Sequence, residues 1–215
     1  MSEKSKYQVY PRVLVFAGST RTDSVNRKLA KIAAQQLERA GIPATLAELR
    51  DYPMPLYEGD REAEEGAPAE VIAFQELMRA HEALVIASPE FNGSFSALLK
   101  NLVDWVSRPV AGEGPTALFR GKTAALLSAS PSRSGGERGL RHLRELLEMI
   151  GVTVIPRQLA VRKADDAFTE ESELAREEDQ VNLRLVLDEL RSALVARADG
   201  GVGSQRLGKK APRQI

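Results

Sequence analysis

The stretch that decides the fold of this chain is Val13-Leu14-Val15-Phe16-Ala17-Gly18-Ser19-Thr20-Arg21-Thr22-Asp23-Ser24-Val25-Asn26. Its first four residues are continuously apolar, which is typical of a strand covered on both faces in a parallel sheet. Gly18 permits a sharp bend of the backbone where the strand stops. Ser24 is a favourable N-cap for a following helix whose apolar residues recur at helical spacing. The stretch therefore predicts a buried strand, a short hydroxyl-rich loop and a helix.

The loop between this strand and this helix has the chemistry of a phosphate site. A helix N-terminus presents unpaired N–H groups and the positive end of a dipole, and the hydroxyls of Ser19, Thr20, Thr22 and Ser24 add donors. The loop lacks both the Gly-Lys-Ser/Thr of triphosphate loops and the Gly-x-Gly-x-x-Gly of dinucleotide sites. It suits the single terminal phosphate of a mononucleotide such as FMN. From the loop alone, an ordinary strand-turn-helix with a well-capped helix fits equally well.

Composition excludes several classes of function. The 215 residues carry a formal net charge of zero, and we expect a single domain (12–196) between an N-terminal arm (1–11) and a disordered tail (197–215). Because the basic residues are scattered, we expect neither a nucleic acid nor a membrane surface as partner. The sequence has no apolar run long enough to span a membrane and no apolar core of a signal peptide, so we expect a cytoplasmic protein. Zero cysteines and two separated histidines argue against thiol redox chemistry and a metal site. Redox or transfer chemistry would then come from a cofactor.

Strand and helix patterns alternate five times along the chain. The predicted strands are 12–17, 44–49, 83–87, 123–128 and 152–161, the fifth interrupted by Pro156. Helices are expected between and after them, the last over 171–196. This alternation predicts an α/β fold with a doubly wound parallel sheet and right-handed crossovers. Residues 50–70 form a long connection, with an apolar flap at 54–57 suited to covering a pocket and a solvated acidic part. His81 is expected to cap a helix or to pack in the core.

Small and polar residues follow three of the predicted strands. Besides the loop at Gly18, residues 88–96 follow the third strand and residues 129–136 follow the fourth. Ligands of doubly wound sheets bind beyond the carboxyl ends of the strands, at the topological switch point. Three such loops meeting at one edge favour a mononucleotide site over the ordinary strand-turn-helix.

Two motifs in these loops resemble the signatures of the NAD(P)H-dependent FMN reductase family, which includes quinone, azo-dye and chromate reductases. The first is Gly18-Ser19-x-Arg21-x-x-Ser24-x-Asn26-x-x-Leu29-Ala30. The second is Pro89-Glu90-Phe91-Asn92-Gly93-Ser94, continuing through Leu99-Lys100-Asn101 to Asp104-Trp105. The resemblance covers residues 12–160 and implies a flavodoxin-like fold with five parallel strands in the order 2-1-3-4-5 and helices on both faces.

The resemblance also implies which residues hold FMN as the cofactor. The first loop, from Gly18, would bind the phosphate; the second would lie along the ribityl chain and flavin; the third would face the isoalloxazine. The implied residues are Gly18, Ser19, Arg21, Ser24 and Asn26, then Pro89, Glu90, Phe91, Asn92 and Gly93, then Ser130, Pro131, Ser132 and Gly135, with Gly136 beside it. Phe91 replaces the tyrosine usual in the family, and Arg133 and serines stand where many relatives have glycine.

The implied activity needs no catalytic side chain and no metal. Flavin N5 accepts a hydride from NADPH or NADH, and the electrons pass to a small-molecule acceptor such as a quinone, free flavin, azo compound or chromate. In relatives the helix of the second motif lies at a subunit interface, which implies a homodimer or homotetramer, although its apolar residues fit a core helix nearly as well. The alternative is a flavodoxin-like electron-transfer protein or a non-catalytic flavin-binding protein. Zero net charge argues against the acidic face usual in flavodoxins.

Overall fold

The computed structural model describes residues 11–110 and 112–204, and a parallel sheet lies at its centre. The described residues form eight strands: β1 (Val13–Ala17), β2 (Ala44–Ala47), β3 (Ala83–Ala87), β4 (Glu90–Phe91), β5 (Ser94–Phe95), β6 (Thr123–Ala129), β7 (Thr153–Val154) and β8 (Leu159–Val161). The sheet order is β2-β1-β3-β6, and both β7 and β8 pair in parallel with β6. This confirms the predicted α/β sheet and its order. The fifth position is split into two short strands around Pro156, because proline has no N–H for the ladder.

Helices cover both faces of this sheet. They are α1 (Val25–Arg39), α2 (Gly59–Glu65), α3 (Ala69–Arg79), α4 (Ala97–Val106), α5 (Glu137–Met149) and α6 (Glu177–Ser204). The apolar sides of α1 and α6 pack in one core cluster, and those of α3, α4 and α5 pack in the other. Every residue of β1, β3 and β6 is buried between these layers, as continuous apolar runs in a parallel sheet require. Among the described helices, none is both long and apolar enough to cross a membrane.

Three predicted boundaries differ from the structure. The second strand stops at Ala47 because the chain turns into a short 3-10 helix over Leu49–Asp51. The connection 50–70 contains α2, which begins where the Glu58 carboxylate accepts hydrogen bonds from the two N–H groups that follow Gly59. The last helix begins at Glu177 rather than near 171, since Leu174 is buried and bridges back to Phe168.

The chain termini extend past the described residues. Helix α6 continues to Ser204, so the part of the predicted tail (197–215) up to that residue is helical. Residues 205–215 and the N-terminal arm up to Tyr10 lie outside the described residues.

His81 is a structural residue, as expected from the sequence. It is 1% exposed, with Nδ1 2.7 Å from the carbonyl oxygen of Leu77 and Nε2 2.8 Å from the hydroxyl of Thr45. Burial lowers the pKa of His81 because it disfavours the charged ring. The neutral imidazole thus joins the end of α3 to β2, which confirms the predicted role in capping or packing.

Candidate functional site

The loops after β1, β3 and β6 emerge side by side at the carboxyl edge of the sheet. They are named here the first loop (18–24), the second loop (88–96) and the third loop (130–136). Their starting residues each bond to a neighbouring strand: Gly18 N donates to Ala87 O, Ser88 N to Leu127 O and Ser130 N to Val161 O, at 2.8–3.1 Å. The residues implied by the resemblance all lie in these loops or in the first turn of α1, so the structure brings them to one edge.

The first loop offers hydrogen-bond donors at the start of α1, and its one acidic residue, Asp23, is exposed just before the N-cap. Ser24 is the N-cap, with its hydroxyl oxygen accepting from Arg27 N at 3.4 Å, and no acidic residue occupies the first turn. Ser19 is half-buried and Arg21 is exposed. By contrast, α5 begins with Glu137, and α6 carries three acidic residues in its first turn. The first turn of α1 therefore carries no carboxylate of its own, and the positive end of its dipole suits a phosphate.

Two arginines that the sequence analysis missed hold the carbonyl groups of the first loop. Arg27 pairs through Nε with Glu48 at 2.6 Å and donates through another nitrogen to two loop carbonyls, both 3.1 Å away. Arg50 donates to the carbonyl oxygen of Thr20 at 2.8 Å. These bonds occupy oxygen atoms that would repel a phosphate. No sequence pattern predicts these hydrogen bonds, because their acceptors are main-chain atoms.

The first and second loops are joined by Ser96. Its hydroxyl donates to the carbonyl oxygen of Gly18 at 2.8 Å and accepts from Leu99 N at 3.3 Å as the N-cap of α4. A Cβ atom at Gly18 would lie 2.5 Å from the Leu99 side chain. Glycine is therefore needed here because α4 packs directly against the end of β1.

Asn26 joins the start of α1, just after the first loop, to the end of β6, just before the third loop. Its Nδ2 donates to the carbonyl oxygen of Ala129, and its Oδ1 accepts from the N–H of the same residue, both at 2.9 Å. Asn26 is 2% exposed. The structure thus places this implied phosphate ligand as a link between two loops, with both polar atoms of its side chain already hydrogen-bonded.

The second loop contains a hairpin that the sequence analysis did not predict. Strands β4 and β5 pair in antiparallel fashion around Asn92 and Gly93, both with positive φ (52° and 79°). Asn-Gly between short strands is the usual signal of such a two-residue turn, and it is present in the sequence. The hairpin leaves Phe91 56% exposed and Asn92 exposed, whereas Pro89 is buried. The Phe91 ring is thus available to a ligand at the mouth of the loops.

The second and third loops are joined by Glu90. Its carboxylate accepts a hydrogen bond at 3.0 Å from Gly139 N, the third N–H of α5. The N-cap of α5 is Gly136, which has no side chain to cap the helix. Glu90 therefore caps α5 from another loop, which a helix N-terminus favours for a carboxylate. The structure engages Glu90 with α5 rather than leaving it facing the open side of the loops.

The third loop has an exposed tip and a buried base. Pro131 and Ser132 are exposed and Ser130 is half-buried, so these three implied residues are open to a ligand. Gly135 is buried, and a Cβ atom there would lie 2.8 Å from the main chain of Ala160. The structure thus places Gly135 against β8, where close packing requires glycine.

The expected flap, residues 54–57, lies on α4 rather than across the loops. Trp105 Nε1 and Asn101 Nδ2 both donate to the carbonyl oxygen of Pro55, at 2.8 and 2.9 Å. Leu56 at the tip is 82% exposed. Most of the apolar residues of α4 are buried within this single chain, so its composition alone does not require a partner.

The residues at this edge fit the parts of FMN. The first loop supplies hydroxyls, helix N–H groups and the exposed Arg21 for a phosphate, and the carbonyls beside it are already bonded. Phe91 presents an aromatic surface. Pro131 and Ser132 form an exposed tip on the neighbouring loop, since β3 and β6 are adjacent in the sheet. The arrangement suits a flavin, whose chemistry needs no acid, base or nucleophile from the protein.

Comparison with known proteins leads to the same family as the two loop motifs. The chain matches the family described as NADPH-dependent FMN reductase over residues 11–166. An NAD(P)H-dependent FMN reductase of Pseudomonas aeruginosa is 37% identical over 164 residues, 76% of this chain and 84% of that protein. A quinone reductase of Escherichia coli K12 is 35% identical over 159 residues, 72% of this chain and 76% of that protein.

Solved structures agree with the sequence comparison. The flavoenzyme NAD(P)H:(acceptor) oxidoreductase of Paracoccus denitrificans is similar to this chain with a TM-score of 0.72 and 25% identity, covering 85% of this chain and 96% of that one. A flavodoxin of Pseudomonas aeruginosa shares the fold, with a TM-score of 0.52 and 18% identity. The resemblance drawn from the two loop motifs is thus confirmed, and the chain belongs to the NADPH-dependent FMN reductase family.

Proposed function

We propose that FMN lies across the three loops of this chain and carries a hydride from NADPH or NADH to a quinone-class acceptor. As a member of its family, the chain is an NAD(P)H-dependent FMN reductase, with FMN as cofactor and NAD(P)H as co-substrate. One observation carries the placement: the first turn of α1, which contains no acidic residue, meets the hydroxyls of the first loop at the switch point of the sheet.

The site residues divide into those that would touch FMN and those that would hold the loops. Gly18, Ser19, Arg21 and Ser24 surround the proposed phosphate position, and Phe91, Asn92, Ser130, Pro131 and Ser132 are placed to meet the flavin. Pro89, Gly93 and Gly135 shape the loops. Asn26 and Glu90 would act through the main-chain groups that they bond rather than through FMN itself.

The protein's contribution to the reaction is placement and electrostatics. Bound FMN supplies the hydride chemistry at its N5 atom. The α1 N-terminus and Arg21 neutralise the phosphate, and the Phe91 ring covers apolar surface that water would otherwise reach. The hydrogen bonds made by Asn26, Glu90 and Ser96 hold the loops in place, so the cofactor would meet loops that are already ordered.

The acceptor, assembly and location are further parts of this proposal. Relatives named quinone reductases support a quinone, and free flavin, azo compounds and chromate are alternative acceptors. We infer a homodimer or homotetramer, no nucleic acid or membrane partner, and a cytoplasmic location. We also infer one domain (12–196). Its two core clusters share the central sheet, which supports a single unit.

The Arg21→Gln substitution tests the position of the phosphate. FMN and riboflavin differ only by this group, so the variant should bind FMN roughly 10-fold more weakly and riboflavin with unchanged affinity, because one charge-assisted bond is worth about 1.5–3 kcal/mol. Quenching of flavin fluorescence on titration with the protein measures both affinities. Lys28→Gln, which removes a charge one turn further along α1, is the matched control and should leave both unchanged.

An equal loss of affinity for FMN and riboflavin in the Arg21→Gln variant would place the phosphate elsewhere.

The reductase activity is tested separately by mixing FMN-loaded protein with NADPH or NADH under anaerobic conditions. Rapid bleaching of the flavin band, followed by turnover with a quinone, is expected. A flavin band that neither nucleotide bleaches would favour the alternative of an electron-transfer or non-catalytic flavin-binding protein.

A further inference from the structure

A cavity of about 400 Å³ lies at the amino edge of the sheet, opposite the three loops. It is bounded by residues that precede β3 and β6, Glu82 and Lys122, and by Arg120, Arg79 and Arg197. Strands β1 and β3 are five residues long, so roughly 16 Å of sheet separates it from the loops at about 3.3 Å per residue. This cavity is therefore separate from the proposed FMN site.

The positive charges around the cavity exceed the negative ones. Arg79 is paired with Glu113 at 3.0 Å. Within the described residues, Arg120, Lys122 and Arg197 have no carboxylate within 4.0 Å.

These three cations bond instead to neutral acceptors, and Arg120 does so by donating to the hydroxyl oxygen of Thr116 at 3.3 Å. Lys122 donates to the carbonyl oxygen of Met78, in the last turn of α3, at 2.6 Å, and to that of His81, just past the helix. Arg197 donates to the carbonyl oxygen of Gly121. An ammonium group has three donors and a guanidinium five, so each cation retains donors for a ligand.

The one acidic group of the cavity does not balance these charges. The Glu82 carboxylate accepts a hydrogen bond at 2.8 Å from the main-chain N–H of Arg12. Burial, with the nearby charges of Arg197 and Arg79, lowers the pKa of Lys122, and Glu82 opposes this shift. The cluster thus carries a repulsive cost that a bound anion would relieve.

We propose that this cavity binds an oxyanion of the phosphate class, either inorganic phosphate or a small phosphorylated molecule. The exposed guanidinium groups of Arg120 and Arg197 offer planar pairs of donors that match phosphate oxygens, and Lys122 adds a compact charge at the back. The cavity volume exceeds what one phosphate needs and leaves room for a small organic group. The proposed ligand would stabilise the folded chain by binding the edge where α3, β6 and α6 meet.

The test is a titration of the full chain with inorganic phosphate at constant ionic strength. The chain is first saturated with FMN, which keeps phosphate out of the first loop. Saturable binding by calorimetry and a rise in Tm are expected. Arg120→Gln/Arg197→Gln should weaken binding at least 10-fold, as the loss of two charge-assisted contacts predicts. The control Lys31→Gln/Arg141→Gln removes the same charge from exposed helix positions and should bind like the parent.

Because Arg197 also bonds to the main chain, weaker binding in the double variant can come from a folding defect. A second variant separates this effect from the loss of phosphate contacts. Arg120→Gln alone removes an exposed side chain and should weaken binding roughly threefold with Tm unchanged in the absence of phosphate. Non-saturable binding in the parent, or equal weakening in the control, would overturn the proposal. So would binding that appears only after deletion of residues 1–10, because the chain's own arm, which carries Glu3, would then fill the cavity.

Discussion

Gly136 shows how a single residue sets the base of the third loop. Its φ is +95°, and a Cβ atom there would lie 2.0 Å from the hydroxyl oxygen of Ser128. Ser128 is fully buried, and its hydroxyl has no hydrogen-bond partner among the described residues. The position thus excludes other residues through both its backbone conformation and its packing.

Gly136→Ala should lower the free energy of unfolding of the FMN-free protein by about 2–4 kcal/mol, as the sum of left-handed strain and overpacking. Urea denaturation measures the loss. Gly41→Ala is the matched control: φ there is +75° with nothing within 4 Å, so only the strain of about 1 kcal/mol applies. Ser128→Ala in the Gly136→Ala background should recover about 1 kcal/mol. Equal losses at Gly136 and Gly41 would contradict the packing argument.

At the scale of elements, α5 depends on a cap supplied by the second loop. Glu90→Ala should destabilise the FMN-free protein by about 1–2 kcal/mol, because it leaves Gly139 N without its partner. It should also weaken FMN binding roughly 10-fold, as a loss of that size in cleft preorganisation predicts. Glu90→Gln keeps an acceptor and should cost only about 0.5 kcal/mol. Urea denaturation and flavin titration measure the two effects.

The control for this prediction is Glu137→Gln, which removes an exposed charge from the same first turn of α5. It should leave FMN affinity unchanged. If Glu137→Gln weakened FMN binding as much as Glu90→Ala, charge near the loops would matter rather than the bond that joins them.

The elements themselves were largely predictable from the sequence. Interactions between residues close in sequence determine several features: the buried strands β1 and β3, the N-cap Ser24 and the positions of the loops. Local sequence patterns predict such features. The interruption of the fifth strand at Pro156 also follows from the sequence, whereas the start of α6 does not, because it depends on what Leu174 meets in the folded chain.

The contacts that shape the candidate site were less predictable. Asn26 bonds to the main chain of a residue 103 positions away, and Arg50 bonds to a carbonyl 30 positions away. A main-chain acceptor carries no residue type that could mark it in the sequence. The motifs therefore indicated which loops form the site, whereas the division between ligand-facing and loop-joining residues required the tertiary structure.

At the scale of the whole molecule, the described chain leaves an apolar residue exposed on the flap beside α4. Leu56 is 82% exposed, although Trp105 and Asn101 fix the main chain next to it. A fixed, exposed leucine beside α4 is a suitable contact for a second copy of the chain. The proposed homo-oligomer would bury it, and a charge at this position would then be desolvated.

Sedimentation velocity over a concentration series tests this assembly. The parent should sediment as a dimer or tetramer, and Leu56→Glu should weaken self-association at least 10-fold, since an unpaired buried carboxylate costs more than the 1.4 kcal/mol of about one decade. Met149→Glu changes another exposed apolar residue, 76% exposed at the end of α5, and should sediment like the parent. A monomeric parent at every concentration would show the homo-oligomer to be wrong. An oligomer indifferent to Leu56→Glu would place its interface away from the flap.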